Sequence, residues 1–152
     1  MLPKKILLCT DFSENSLPAR ELAKEYAKAF GAGLIVVHVV NTSRIGYPAF
    51  QQDVPFDQQA VLKSVEESVT GALDEVAEDC RKMVNNVEAY YRMGIPATEI
   101  VTFAKEESVD LLVLGTHGWT GITHLVMGST AENVVRTAGC PVLTVRSGEP
   151  AQ

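Results

Sequence analysis

The chain of 152 residues is predicted to fold as a single α/β domain, doubly wound around a five-stranded parallel sheet with helices on both faces. Two observations carry that prediction. Five short apolar runs alternate along the chain with four longer segments whose apolar residues step at three and four. The runs are also of two kinds: three are apolar almost throughout, as strands covered on both faces must be, and two alternate apolar with polar positions, as edge strands do.

Lys4 to Thr10 (KKILLCT) is the first of the continuous runs. Asp11 to Ser16 follows, rich in helix-capping residue types, and Pro18 fits only a first turn, so helix one starts at Ser13 or at Ser16. It runs to about Phe30, with Leu22, Tyr26 and Phe30 as its inner stripe. Gly31-Ala32-Gly33 stops it, and Leu34 to Val40 is a second buried strand interrupted only by His38, which reads as a core histidine with a satisfied hydrogen bond. Asn41 to Phe56 has no period but carries Pro48, Pro55 and three aromatics, and reads as a flap or a partner contact.

Helix two spans roughly Asp57 to Val84, with Val61, Val65, Val69, Leu73, Val76, Cys80 and Met83 on one buried face. Val87 to Met93 alternates, so it is an edge strand. Pro96 opens a third helix that turns Ile100, Phe103 and Ala104 inward. Asp110 leads into a fourth, buried strand that breaks at Gly115. Ser129 and Glu132 have capping-box spacing, which makes Ser129 the expected N-cap of helix four, ending at Gly139. Cys140 to Arg146 is the last strand, again an edge, and residues after Ser147 are expected to be disordered, which bounds the domain at 1–147 and leaves 148–152 as a tail. Interior strands one, two and four with edges three and five fit the spatial order 3-2-1-4-5. That order sets the carboxyl ends of strands one and four side by side where the winding reverses, the crevice in which such sheets bind ligands.

Composition excludes several classes. A net charge of −6 and a pI near 5.0 argue against a nucleic-acid partner or an anionic membrane surface, because phosphate neutralisation needs a basic face. The longest apolar runs, such as Leu34 to Val37, are far too short to span a bilayer, and the first residues enter a strand without a signal-peptide layout. Cys9, Cys80 and Cys140 are widely spread with no C-x-x-C pair, which fits reduced thiols in the cytoplasm.

The chemistry concentrates in Leu111 to Thr130, LLVLGTHGWTGITHLVMGST. Its glycines allow positive φ in turns and close backbone approach to a ligand, and a helix N-terminus follows with unpaired N–H groups and a positive dipole end. Two such donor sets suit a polyphosphate. Spacing alone equally fits a surface loop with a glycine stop and a capped helix; Asp11 and Gly115 facing one crevice weighs toward a site. There is no Gly-Lys pair for a P-loop, Gly31-Ala32-Gly33 precedes a strand instead of following one, and His117 and His124 have no Cys or acidic cluster beside them, so no metal held by the protein is expected.

What remains is Gly115-x2-Gly118, nine residues, then Gly128-Ser129-Thr130. With this pattern, with Ile6 to Ser16, with His38-Val39-Val40 and with Pro141 to Val145, the chain resembles the universal stress protein family, specifically its ATP-binding branch, from Lys4 to Arg146. The resemblance implies a homodimer of five-stranded subunits, each holding ATP with Mg2+ or Mn2+ carried on its phosphates, and the edge character of the last strand, with Val142, Thr144 and Val145, makes it the expected seam between the copies. Thr10 and Asp11 would then lie beside the nucleoside and the Val39 backbone at the adenine edge. Leu114, Gly115, Thr116, His117 and Gly118 would follow the ribose and phosphates, and Gly128, Ser129 and Thr130 would hold the phosphate tail. The expected function is regulatory, a cytoplasmic stress-response protein with no dedicated enzymatic activity. Two alternatives stay open: a slow ATP hydrolase in which Asp11 or His117 orients a water, and a dimeric scaffold without nucleotide.

Overall fold

The computed structural model describes residues 1–43, 57–117 and 126–148, and its element order is the predicted alternation. The strands are β1 (Lys5–Cys9), β2 (Gly33–Asn41), β3 (Val87–Gly94), β4 (Leu111–Gly115) and β5 (Val142–Val145). A short 3-10 turn, Glu14–Ser16, precedes α1 (Leu17–Phe30), and α2 (Gln58–Arg81), α3 (Pro96–Glu106) and α4 (Ser129–Thr137) complete the fold. All five strands are parallel, in the order β3-β2-β1-β4-β5. The expected flap lies outside the described residues from residue 44 to 56, as do Gly118 and residues 149–152 of the tail.

The sheet divides the core in two, because successive side chains of a strand point to opposite faces. Ile6, Leu8, Leu34, Val36 and Val113 meet α1 and α2 on one face. Leu7, Cys9, Ile35, Val37, Leu112 and Leu114 meet α3 and α4 on the other. Ile100, Phe103 and Ala104 form the buried side of α3 as their spacing predicts. Asp110 fastens the start of β1, accepting from the backbone N–H groups of Lys4 (2.8 Å) and Lys5 (2.9 Å).

Three helix readings need correction. The buried stripe of α1 is Ala19, Ala23 and Ala27; Leu22 and Tyr26 flank it and Phe30 is exposed. Alanine on the contact line lets the helix axis approach the sheet, and the larger residues fill the shoulders instead. In α2 only the C-terminal part of the expected stripe is buried, through Val69, Leu73, Val76, Ala77 and Cys80, while Val61 is 36% exposed and the helix closes at Arg81. Helix α4 ends at Thr137, two residues before Gly139, because Ala138 is already extended (ψ 141) toward β5. That strand is shorter than the apolar run: Pro141 has no N–H to give a ladder, although its carbonyl accepts from Leu112 N–H at 3.0 Å. The choice of start for α1 is settled by the 3-10 turn, which makes Ser16 the N-cap and puts Pro18 in the first turn.

Helices α1 and α2 are joined by a cation that the apolar pattern gives no hint of. Lys24 is 6% exposed on the inner side of α1, with its Nζ 2.9 Å from Asp79 Oδ2 of α2 and 2.8 Å from Glu21 Oε1. The hydrogen bond from Lys24, with the charges of Lys24, Arg20 and Lys82, holds the Asp79 carboxyl below its ordinary value of 3.8 against the opposing effect of burial. A carboxyl so depressed stabilises the fold above its unfolded pKa and loses that contribution as pH falls through the folded value. We predict that Asp79→Ala lowers unfolding free energy in urea by about 3 kcal/mol at pH 7, since it strands a buried ammonium that keeps only Glu21. The difference between variant and wild type should shrink as the pH is lowered below 3.8.

Candidate functional site

A cavity of about 460 Å³ opens at the carboxyl ends of the strands, between β1 and β4 where the winding reverses. Thr10 and Asp11 enter it from the end of β1, Val39 and Asn41 from β2, Leu114, Gly115, Thr116 and His117 from β4, and Gly128, Ser129 and Thr130 from the start of α4. All the nominated residues within the described chain therefore share one cavity; Gly118 lies outside the described residues.

The two glycine groups are in direct contact. Gly128 N–H donates to the Thr116 carbonyl at 2.7 Å, and Thr116 N–H in turn donates to Val145 O at 3.0 Å. A Cβ on Gly128 would stand 3.1 Å from Thr116 O, and one on Gly115 3.2 Å from Asn15 O. Neither glycine has a left-handed φ, so the reason for glycine here is close passage of backbones and not the turn conformations that the sequence brings to mind.

The expected capping box is absent. Gly128 is the N-cap of α4, with no side chain to offer, Ser129 is the first helical residue, and the Glu132 carboxylate accepts from Arg136 Nη2 at 2.6 Å instead of reaching back. Gly in place of a Ser or Asp cap costs only roughly a few tenths of a kcal/mol, and Ser129, Thr130 and Ala131, whose first-turn N–H groups have no partner within the helix, line the cavity at the positive end of the helix dipole. Glu132 N–H already donates to Gly128 O at 3.0 Å, so the open set is the three residues before it.

At the end of β1 side chains take over from the ladder. Asp11 Oδ1 accepts from Ser13 N–H (3.0 Å) and from Ser13 Oγ (2.5 Å), which bends the chain toward the 3-10 turn. Thr10 Oγ1 accepts from Phe12 N–H at 3.1 Å and lies 3.3 Å from Ser16 Oγ, which donates to Ser13 O at 2.7 Å. Phe12 sits at φ 64, a strained position for a side chain with a Cβ, costing on the order of 1–3 kcal/mol.

His38 is not simply a core residue: it lines the cavity. Its Nδ1 is 2.8 Å from the Thr10 carbonyl, and a carbonyl only accepts, so Nδ1 carries the proton. Burial pushes the imidazole below its ordinary 6.5, against the pull of the Thr10 carbonyl and the Asp11 charge, so the ring is neutral at pH 7. The aliphatic side chains that line the cavity from opposite faces of the sheet, Val65 and Val69 of α2 and Ile100 of α3, are a second feature sequence reasoning passed over. Val65 and Val69 were legible only as members of an apolar stripe. Thr116 Oγ1 and His117 Nδ1 are 2.9 Å apart, and His117 Nε2 is buried with no hydrogen-bond partner among the described residues.

The lining residues described include no Lys or Arg, and no group of three or more metal-ligating side chains exists among the described residues. An anion here would be held by peptide N–H groups, hydroxyls and imidazole.

Comparison with known proteins agrees with this fold. The model of the universal stress protein family matches residues 3–146. Universal stress protein MJ0531 of Methanocaldococcus jannaschii is 36% identical over 146 residues, covering 95% of this chain and 83% of the relative. Among solved structures, the universal stress protein UspA from Lactobacillus plantarum superposes with a TM-score of 0.78 at 26% identity, covering 94% of this chain and 97% of the other. A universal stress protein in complex with cAMP does so with a TM-score of 0.72 at 25% identity, covering 97% and 100%.

Proposed function

This chain belongs to the universal stress protein family, and on that footing we propose that its cavity binds an adenine nucleotide, ATP, and that the protein acts as a nucleotide-controlled regulator in the stress response. The observation that carries the proposal is the junction of two amide-rich segments, the end of β4 and the uncapped start of α4, across the Gly128 to Thr116 hydrogen bond. A universal stress protein solved with cAMP supports the adenine nucleotide class.

In this reading the adenine lies against the Val39 backbone among Val65, Val69 and Ile100, Asp11 meets the ribose hydroxyls, and Leu114 to His117 follow the sugar and first phosphates. Ser129 and Thr130, with their amides and hydroxyls, take the phosphate tail at the positive end of α4. Micromolar affinity corresponds to about −8 kcal/mol. Four or five charge-assisted hydrogen bonds at roughly 1.5–3 kcal/mol each cover that after losses. With no Lys or Arg among the lining residues described, remaining phosphate charge falls to Mg2+ or Mn2+ carried by the nucleotide. The same lack argues for a regulator over an efficient hydrolase, because phosphoryl transfer depends on cationic clamps around the transferred group.

We further infer a cytoplasmic homodimer. Among the described residues β5 pairs with β4 alone, so its outer edge has N–H and C=O groups for a second copy, and Cys9, Cys80 and Cys140 form no disulfide, which suits a reducing compartment.

Calorimetry tests the nucleotide proposal. Wild-type protein should bind ATP with micromolar affinity, and Gly115→Val and Gly128→Val should each weaken it at least about tenfold, the loss of one good hydrogen bond or more. The far-UV spectrum and light scattering of the variants should match a folded wild-type dimer. Unaltered affinity in both variants would refute the assignment.

A further inference from the structure

Strand β2 outruns β1 by design of a side chain. The register pairs Cys9 with Val37, and Thr10 N–H donates to Val37 O at 3.0 Å. A parallel ladder continued by one more step would pair Asp11 with Val39: Val39 N–H would donate to Thr10 O, and Phe12 N–H to Val39 O. Neither bond forms. The Thr10 carbonyl instead accepts from His38 Nδ1 at 2.8 Å, and Phe12 N–H goes to Thr10 Oγ1 at 3.1 Å. The left-handed backbone of Phe12 swings its ring onto the imidazole, with centroids 4.3 Å apart and planes at 27°. No Gly or Pro stands at 10–12 to break the strand. The strand ends because two side chains intercept its hydrogen bonds.

We propose that His38 is a positioning residue for nucleobase recognition: by occupying the Thr10 carbonyl it keeps β1 off Val39, leaving the Val39 N–H and C=O as an adjacent donor and acceptor on the cavity wall. This rests on the nucleotide reading above and deepens it, since it names the side chain that leaves the base-binding edge open. Adenine presents N1 as an acceptor beside the N6 amino donor, complementary to a peptide N–H and C=O on one strand edge. Guanine presents a donor at N1 and an acceptor at O6, so each of its groups meets its own kind. A mispaired polar edge buried in an aliphatic wall is a strong basis for rejection. Peptide groups alternate along a strand: Leu34 N–H donates to Asn86 O on the β3 side and Val37 O accepts from Thr10 N–H on the β1 side, so the Val39 N–H and C=O face β1 and not β3, and the pair is available without breaking the sheet.

Two substitutions separate this role from mere packing. His38→Phe keeps a ring for Phe12 to stack on and removes the Nδ1 donor; His38→Asn restores an N–H donor at nearly the same place. In ligand-free His38→Phe the Val39 amide should close onto Thr10 O, and its hydrogen exchange should slow by about tenfold or more. ATP affinity should fall by about tenfold, and the ratio of ATP to GTP affinity should collapse toward one. His38→Asn should hold all three values near those of wild type. If His38→Phe leaves both Val39 exchange and the ATP to GTP ratio unchanged, the proposal is wrong. Slowed Val39 exchange in a protein whose wild type binds neither nucleotide would sustain the strand-end role of His38 and overturn its link to a base.

Discussion

The hydrogen bond from Gly128 N–H to the Thr116 carbonyl, 2.7 Å long, joins the end of β4 to the start of α4, and the geometry of the site descends from it. Residues 118–125 separate the two segments in sequence, so the bond closes a loop and fixes where the helix begins relative to the sheet. The absence of a Cβ on Gly128 favours it, since one would come 3.1 Å from the same carbonyl and force the two backbones apart by a few tenths of an ångström. Gly115 meets the same kind of limit from the other side, against Asn15 O at 3.2 Å, which seats β4 beneath the 3-10 turn that follows β1. Close backbone passage at two points thus brings three chain segments to one crevice.

Around that crevice the fold presents peptide groups, with no lysine or arginine among the described lining residues. The start of α4 gives up a side-chain cap, and β1 gives up one ladder step beside Val39. Each leaves backbone groups at the cavity and costs local stability, in the first case only roughly a few tenths of a kcal/mol. The compensation lies elsewhere: a two-faced apolar core centred on fully buried Leu7, Leu8 and Leu112, and a partly buried Lys24–Asp79 pair that joins α1 to α2. The described lining residues carry one carboxylate, Asp11, and no lysine or arginine.

Strand order was legible in the amino-acid pattern because burial on one face or two leaves different signatures: continuous runs in β1, β2 and β4, alternation in β3 and β5. The crevice followed from that order, and the glycine spacing pointed to it. What could not be read depended on distances between segments. The alanine line of α1 is invisible to a search for large apolar residues, although Ala19, Ala23 and Ala27 have the right spacing. Ser129 fits a capping box as well as Gly128 fits an N-cap, and only the Thr116 carbonyl decides between them. His38 looks like a polar interruption in a buried strand until the end of β1 is seen to turn on it. Lys24 stands on the inner side of a helix because Asp79 is across from it, which no local pattern encodes.

The most direct measurement is a titration of isotopically labelled protein with ATP, followed by amide chemical shifts residue by residue. The account predicts that the amides of Val39, Gly115, Ser129 and Thr130 shift together with one common dissociation constant, and that adenosine moves Val39 while sparing Ser129 and Thr130. Shifts confined to a different surface, or separate constants for Gly115 and Ser129, would contradict a single cradle at the ends of β1 and β4.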